Sequence, residues 1–96
     1  MDIKAELENK VKRYRELTAE AIEKVKLNKN LCKERKKIAE DFLDMAKRYF
    51  ADGKFFEKKG KLATALAAYS YAHAWLDAGA RAELFDVKNN RLFAKD

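Results

Sequence analysis

Proline and glutamine are absent from this chain, and there are only three glycines, one cysteine and one histidine. With so few turn-forming residues, a fold of many short strands and tight turns is disfavoured. The lone Cys32 has no partner for an intramolecular disulfide, which suits a reducing cytoplasm. One imidazole and one thiol fall short of the usual ligand set for zinc. A Gly-rich phosphate loop and a nucleophile motif are both missing, so no cofactor is implied. The longest uncharged run, residues 62–76, is too short to cross a bilayer and contains Thr64, Ser70 and His73. It reads as a buried helix, and no membrane partner is expected. The opening Met1-Asp2-Ile3-Lys4 begins a charged amphipathic pattern, so no secretory leader is expected.

What is present is charge and helix-forming residues. The 96-residue chain is 40% charged, with a net charge of +6, and Ala, Leu, Lys and Glu dominate. That length fits one domain with a modest core. Six Phe, four Tyr and one Trp are too many aromatics for a disordered chain. The basic balance permits an acidic or nucleic-acid partner without requiring one.

Apolar residues recur at helical spacing in three blocks. In the first, residues 2–25, the stripe is Ile3, Leu7, Val11, Tyr14, Leu17, Ala21, Ile22 and Val25. Asn28-Lys29-Asn30 breaks the pattern, since Asn both tolerates a helix end and caps a helix start. The second block, residues 31–59, carries Leu31, Ile38, Phe42, Met45, Tyr49, Gly53 and Phe56, widened by Leu43, Ala46 and Phe50. Asp52-Gly53 is a turn signal. However, Tyr49, Gly53, Phe56 and Gly60 stay in phase, so the helix is read as continuous, with Gly53 allowing a neighbouring helix to approach closely. Gly60, preceded by Lys58 and Lys59, is the better stop. The third block, residues 61–85, is apolar around much of its circumference and should be the most buried. The expected fold is therefore all-α: an up-down-up three-helix bundle with a short polar C-terminal tail over residues 86–96. The tail is expected to be irregular or loosely docked.

Residues 69–81 read Tyr-Ser-Tyr-Ala-His-Ala-Trp-Leu-Asp-Ala-Gly-Ala-Arg. Together with Tyr49, Phe50 and Asp52 before them and Leu84, Phe85 and Asp86 after, they resemble a small archaeal family, number 357 among the domains of unknown function. The similarity covers roughly half the chain. The chain departs from the family pattern at Ala74, in place of Gly, and at Glu83, in place of a small residue. The resemblance implies a compact helical bundle in an archaeal cytoplasm and implies no activity.

Three groups of residues are candidates for function. His73 and Asp77 lie one turn apart on a helix, where a carboxylate can orient an imidazole as a base. The plain structural alternative is a partly buried His tied to Asp77 or to a backbone carbonyl. Lys29, Lys33, Arg35, Lys36 and Lys37 form a basic cluster against the single Glu34, suited to phosphate or an acidic protein. No nucleic-acid-binding signature accompanies it, so a solvated lysine-rich face is the simpler account. Tyr49, Phe50, Phe55, Phe56, Tyr71 and Trp75 exceed what three helices need to bury, because adjacent residues point about 100° apart. Exposed together, they would form a patch for a protein partner or a second copy; otherwise the tail, through Leu92 and Phe93, would fold back over them. These groups rank the functions. First comes a non-enzymatic helical interaction module, including self-association as a homodimer. A nucleic-acid-associated basic protein comes second, and a small ligand-binding protein or enzyme centred on His73 and Asp77 third.

Overall fold

Local chemistry sets some of the helix ends, and contacts from distant residues set the others. The structure, a computed structural model, describes residues 2–87 together with Leu92 and Phe93. The Asp2 carboxylate accepts a hydrogen bond from the Ala5 N–H at 2.7 Å, opening α1, Ile3–Lys24. Helix α2 spans Lys33–Lys58 and α3 spans Leu62–Arg81. The three pack against one another as an all-α, up-down-up bundle. No strand occurs among the described residues; a single antiparallel bridge joins Leu27 to Phe85.

The turn between α2 and α3 is short, three residues from Lys59 to Lys61. Gly60 adopts φ +75°, its N–H bonds to the Glu57 carbonyl, and the Lys61 N–H reaches back to the Phe56 carbonyl. This is the six-to-one, five-to-two pairing of a Schellman end. Lys61 is also the first residue outside α3, so one helix ends and the next begins within three residues.

The end of α3 differs from the sequence reading. The helix stops at Arg81, four residues before the expected position 85. A second Schellman end explains this: Leu84 N–H bonds to the Gly79 carbonyl, Glu83 N–H bonds to the Ala80 carbonyl, and Glu83 holds φ +61°. A non-glycine residue in that region costs roughly 1 kcal/mol or more. Surrounding contacts hold it there. Leu84 and Phe85 are buried, and the Phe85 ring rests on Gly79, where an added Cβ would lie 2.1 Å away. The Asn28 amide donates to the Glu83 carbonyl at 3.1 Å, and Arg35 donates to the Ala82 carbonyl at 2.7 Å. Main-chain bonds from Asn28 to Leu84 and from Asp86 to Lys26 complete the clasp.

The clasp also corrects the role expected of the asparagines. Asn28 turns inward, accepting from Asn30 N–H and bracing Glu83. The residue preceding α2 is Cys32, which makes no side-chain cap, and α2 therefore starts at Lys33 rather than 31.

Helix α3 is the central element, packed on α2 along its length and on α1, whereas α1 and α2 touch little. It buries Ala65, Ala68, Tyr69, Ala72, Leu76, Gly79 and Ala80. Helix α2 presents Ala39, Ala46 and Gly53, small residues at seven-residue intervals that let the two axes come close. The expected stripes are accordingly shifted in part. In α2 the buried position is Ala39, and Ile38 is 47% exposed. In α1 the centre is Val11, Thr18 and Ala21, while Ile3 and Tyr14 are exposed. The tail folds back at Leu92 and Phe93, which are buried in the core cluster with Ala21, Leu76, Ala80, Leu84 and Phe85. The remaining tail residues, 88–91 and 94–96, lie outside the described residues.

A Cβ at position 53 would lie 2.5 Å from two ring carbons of Tyr69. Replacing a helical glycine by alanine gains about 1 kcal/mol in propensity, but forced overpacking costs about 1 to 3 kcal/mol. Because Tyr69 is fully buried, the overpacking cost wins. Gly53→Ala should lower the thermal midpoint. Glu83→Gly should raise stability by about 1 kcal/mol through relief of the left-handed strain. Paired thermal denaturation of the two variants checks both signs.

Candidate functional site

Residues 69, 73 and 77 step along α3 one turn at a time. At the lower step, the Tyr69 hydroxyl donates to Glu57 Oε1 at 2.8 Å. The other oxygen of Glu57 pairs with the Arg15 guanidinium. One residue from each helix thus meets at a single carboxylate. Burial, then the hydrogen bond to Glu57 and its negative charge, push the Tyr69 hydroxyl well above its ordinary range, against a smaller pull from Arg15.

At the middle step, His73 has partners for both ring nitrogens. Nε2 lies 2.7 Å from the Leu92 carbonyl, and Nδ1 lies 3.1 Å from Thr18 Oγ1. A carbonyl only accepts, so Nε2 carries the hydrogen. In the neutral ring, Nδ1 then accepts from the Thr18 hydroxyl. Asp77 Oδ1 is 3.6 Å from Nε2, beyond a hydrogen bond, and the His73 side chain is only 12% exposed. This geometry ties α1, α3 and the tail together, and leaves no ring nitrogen directed at an open cleft. Among the described residues, no three His, Cys, Asp or Glu side chains are placed to share a metal ion.

The aromatic candidates divide into three places. Tyr49 and Tyr71 stack at 5.4 Å, and with Trp75, Ala74 and Ala78 they line a shallow groove of about 430 Å³ between α2 and α3. Trp75 also meets Phe42 edge-on at 4.9 Å. Phe50 turns the other way, against Tyr69. Phe55 and Phe56 meet near the end of α2, with Lys59 over the exposed Phe55 ring. Leu92 and Phe93 are buried in the cluster with Leu76 and Phe85, and Tyr71 is 60% exposed.

The basic cluster is also divided. All five residues are exposed, but Arg35 is engaged in bracing the end of α3 through the Ala82 carbonyl. Lys29, Lys33, Lys36 and Lys37 remain in solvent beside the start of α2.

Thr18, Arg15, Glu57 and Tyr69 were not singled out as site residues by sequence reasoning. Tyr69 carried the one usable signal: a phenol in an alanine-rich buried stripe needs a partner for its hydroxyl. Nothing local to Arg15 or Glu57 distinguishes them from the many other charged residues.

These features define a three-helix bundle cross-tied by two half-buried polar nodes, with an uncharged groove on one flank. The model of the family described as Protein of unknown function (DUF357) matches residues 13–85, well over half of the chain. The chain belongs to that family. The match takes in both polar nodes except Leu92, and it ends at Phe85. No curated protein and no solved structure matches the chain.

Tyr69→Phe should cost about 1.5 to 3 kcal/mol at neutral pH, the usual worth of a hydrogen bond to a charged acceptor. The folded protein raises the phenol above its ordinary value of 10.0. Its contribution is therefore complete below pH 10 and is lost as the pH rises beyond it, when the unfolded phenol ionises. Chemical denaturation from pH 8 to 11 should show a steeper alkaline loss in the parent chain than in Tyr69→Phe.

Proposed function

We propose that the protein is a non-enzymatic interaction module that associates with a second copy of itself through the outer flank of α3. The observation that carries this reading is the missing charge. From Leu62 to Leu76 the helix bears no Asp, Glu, Lys or Arg, although these make up 40% of the chain as a whole. The exposed positions on this flank are Ala67, Tyr71, Ala74 and Ala78, at steps of four, three and four. That is the spacing of a helix-packing seam. Beside it lies the groove formed with Tyr49 and Trp75.

A second copy suits this flank for two reasons. Small alanines alternate with large rings, so the surface offers both knobs and holes to its own image. Two chains of net charge +6 repel at a distance, and a charge-free seam is where they can meet without placing lysines against lysines. The setting we assign is cytoplasmic, in an archaeal cell. Support comes from the resemblance carried by residues 69–81 and from the exposed thiol of Cys32, which suits a reducing interior. Among the described residues, no helix is long and apolar enough to cross a membrane.

A nucleic-acid-associated role is the second reading, supported by the exposed Lys29, Lys33, Lys36 and Lys37. It requires binding that weakens steeply as salt is raised. The loss of Arg35 to a structural contact counts against it.

Light scattering on the eluting protein should give twice the chain mass. Ala74→Glu places two like charges near the twofold axis and should give a monomer with unchanged helical dichroism, since Ala74 is exposed. A parent chain that elutes as a monomer at every concentration tested would sink the reading.

A further inference from the structure

We infer that the junction of α1 and α3 around His73 is a peptide-binding site. In this structure it is filled in cis by Leu92 and Phe93, and it can take the same segment from a second copy. This surface is separate from the α2–α3 groove, and the inference does not rest on self-association through that groove.

Three observations carry it. First, the occupant has the form of a short ligand. Leu92 is 1% and Phe93 4% exposed, while the sequence on either side is polar apart from Ala94: Lys88, Asn89, Asn90 and Arg91 before, Lys95 and Asp96 after. Two adjacent apolar side chains therefore act as the anchor, as in short segments that bind helical surfaces. Second, the site reads the main chain of its occupant. His73 Nε2–H donates to the Leu92 carbonyl at 2.7 Å, and the ring is oriented for this by Thr18 at Nδ1. Every peptide segment carries backbone carbonyls, so the contact does not depend on the segment being covalently attached. Third, site and occupant separate along the sequence. Thr18 and His73 lie inside the segment that matches the family, whereas Leu92 and Phe93 lie beyond its end at Phe85. The three helices are closed off before the tail, by the Glu83 turn and by the Leu27–Phe85 bridge.

The chemistry sets the ligand class: a short peptide with two consecutive large apolar residues, the first of which presents its carbonyl to an imidazole N–H. Small, charged or helical ligands do not meet that description.

The test uses the full chain with its own segment disabled, Leu92→Ser together with Phe93→Ser. The probe is a synthetic peptide of residues 88–96. His73 is the sole histidine, so its ring-proton resonances report on the site without ambiguity. The peptide should bind saturably, raise the melting temperature, and restore the slowly exchanging Nε2 proton expected of the parent chain. A peptide carrying Phe93→Ala should do none of these. Adding His73→Phe to the host should weaken the peptide about tenfold, the loss of one hydrogen bond. If the doubly substituted chain does not fold alone, the peptide should recover its helical dichroism. No peptide-dependent change in melting, ring resonance or helicity overturns the inference, as does equal binding of the Phe93→Ala peptide.

Discussion

A tyrosine ring packed against a glycine decides how closely α2 and α3 can approach. Tyr69 is fully buried because residue 53 has no side chain, and its hydroxyl then reaches Glu57 one turn further along α2. That carboxylate in turn holds Arg15 of α1. Here a steric vacancy, a hydrogen bond and an ion pair form one chain of dependence through all three helices. The ion pair alone would be worth little, since both partners are partly in solvent. Its position matters more than its energy, because it sets how α1 sits on a surface made mostly of alanine.

The helices, their order and the hairpin at Gly60 were legible in the sequence, for physical reasons. Apolar spacing reports a buried stripe directly, and glycine after paired lysines reports a helix end. The phase of Gly53 outweighed the turn signal of Asp52-Gly53, and the helix does run through. Legibility failed where a distant residue overrides a local preference. Glu83 ends α3 although glutamate avoids the left-handed conformation, because Asn28, Arg35 and the burial of Phe85 enforce the turn. The exposure of Ile38 and the burial of Ala39 follow from the nearness of α3, which selects small residues over large ones. Periodicity could place the stripe to within one residue and no better.

The candidate site was legible in its parts and not in its grouping. His73 and Asp77 were identifiable by spacing, but Thr18 and the Leu92 carbonyl, which occupy the imidazole, come from distant stretches of chain. The aromatic residues shared a list by composition, and helix geometry sends them to separate faces. Arg35 belonged to a basic cluster by sequence and serves a helix end in space. In each case the residue type was informative about chemistry, while the partner depended on tertiary contacts that a single sequence does not encode locally.

The weak contact between α1 and α2 has a consequence for synthesis. Both rest on α3, and α3 is the last of the three to be made. As the nascent chain leaves the ribosome, the first two segments emerge with apolar stripes and no surface to receive them. Collapse has to wait for the final third. Until then Leu17, Phe42 and Leu43 stay open to whatever else binds exposed apolar chain in the cell, and a message cut short before Leu62 yields no partial fold.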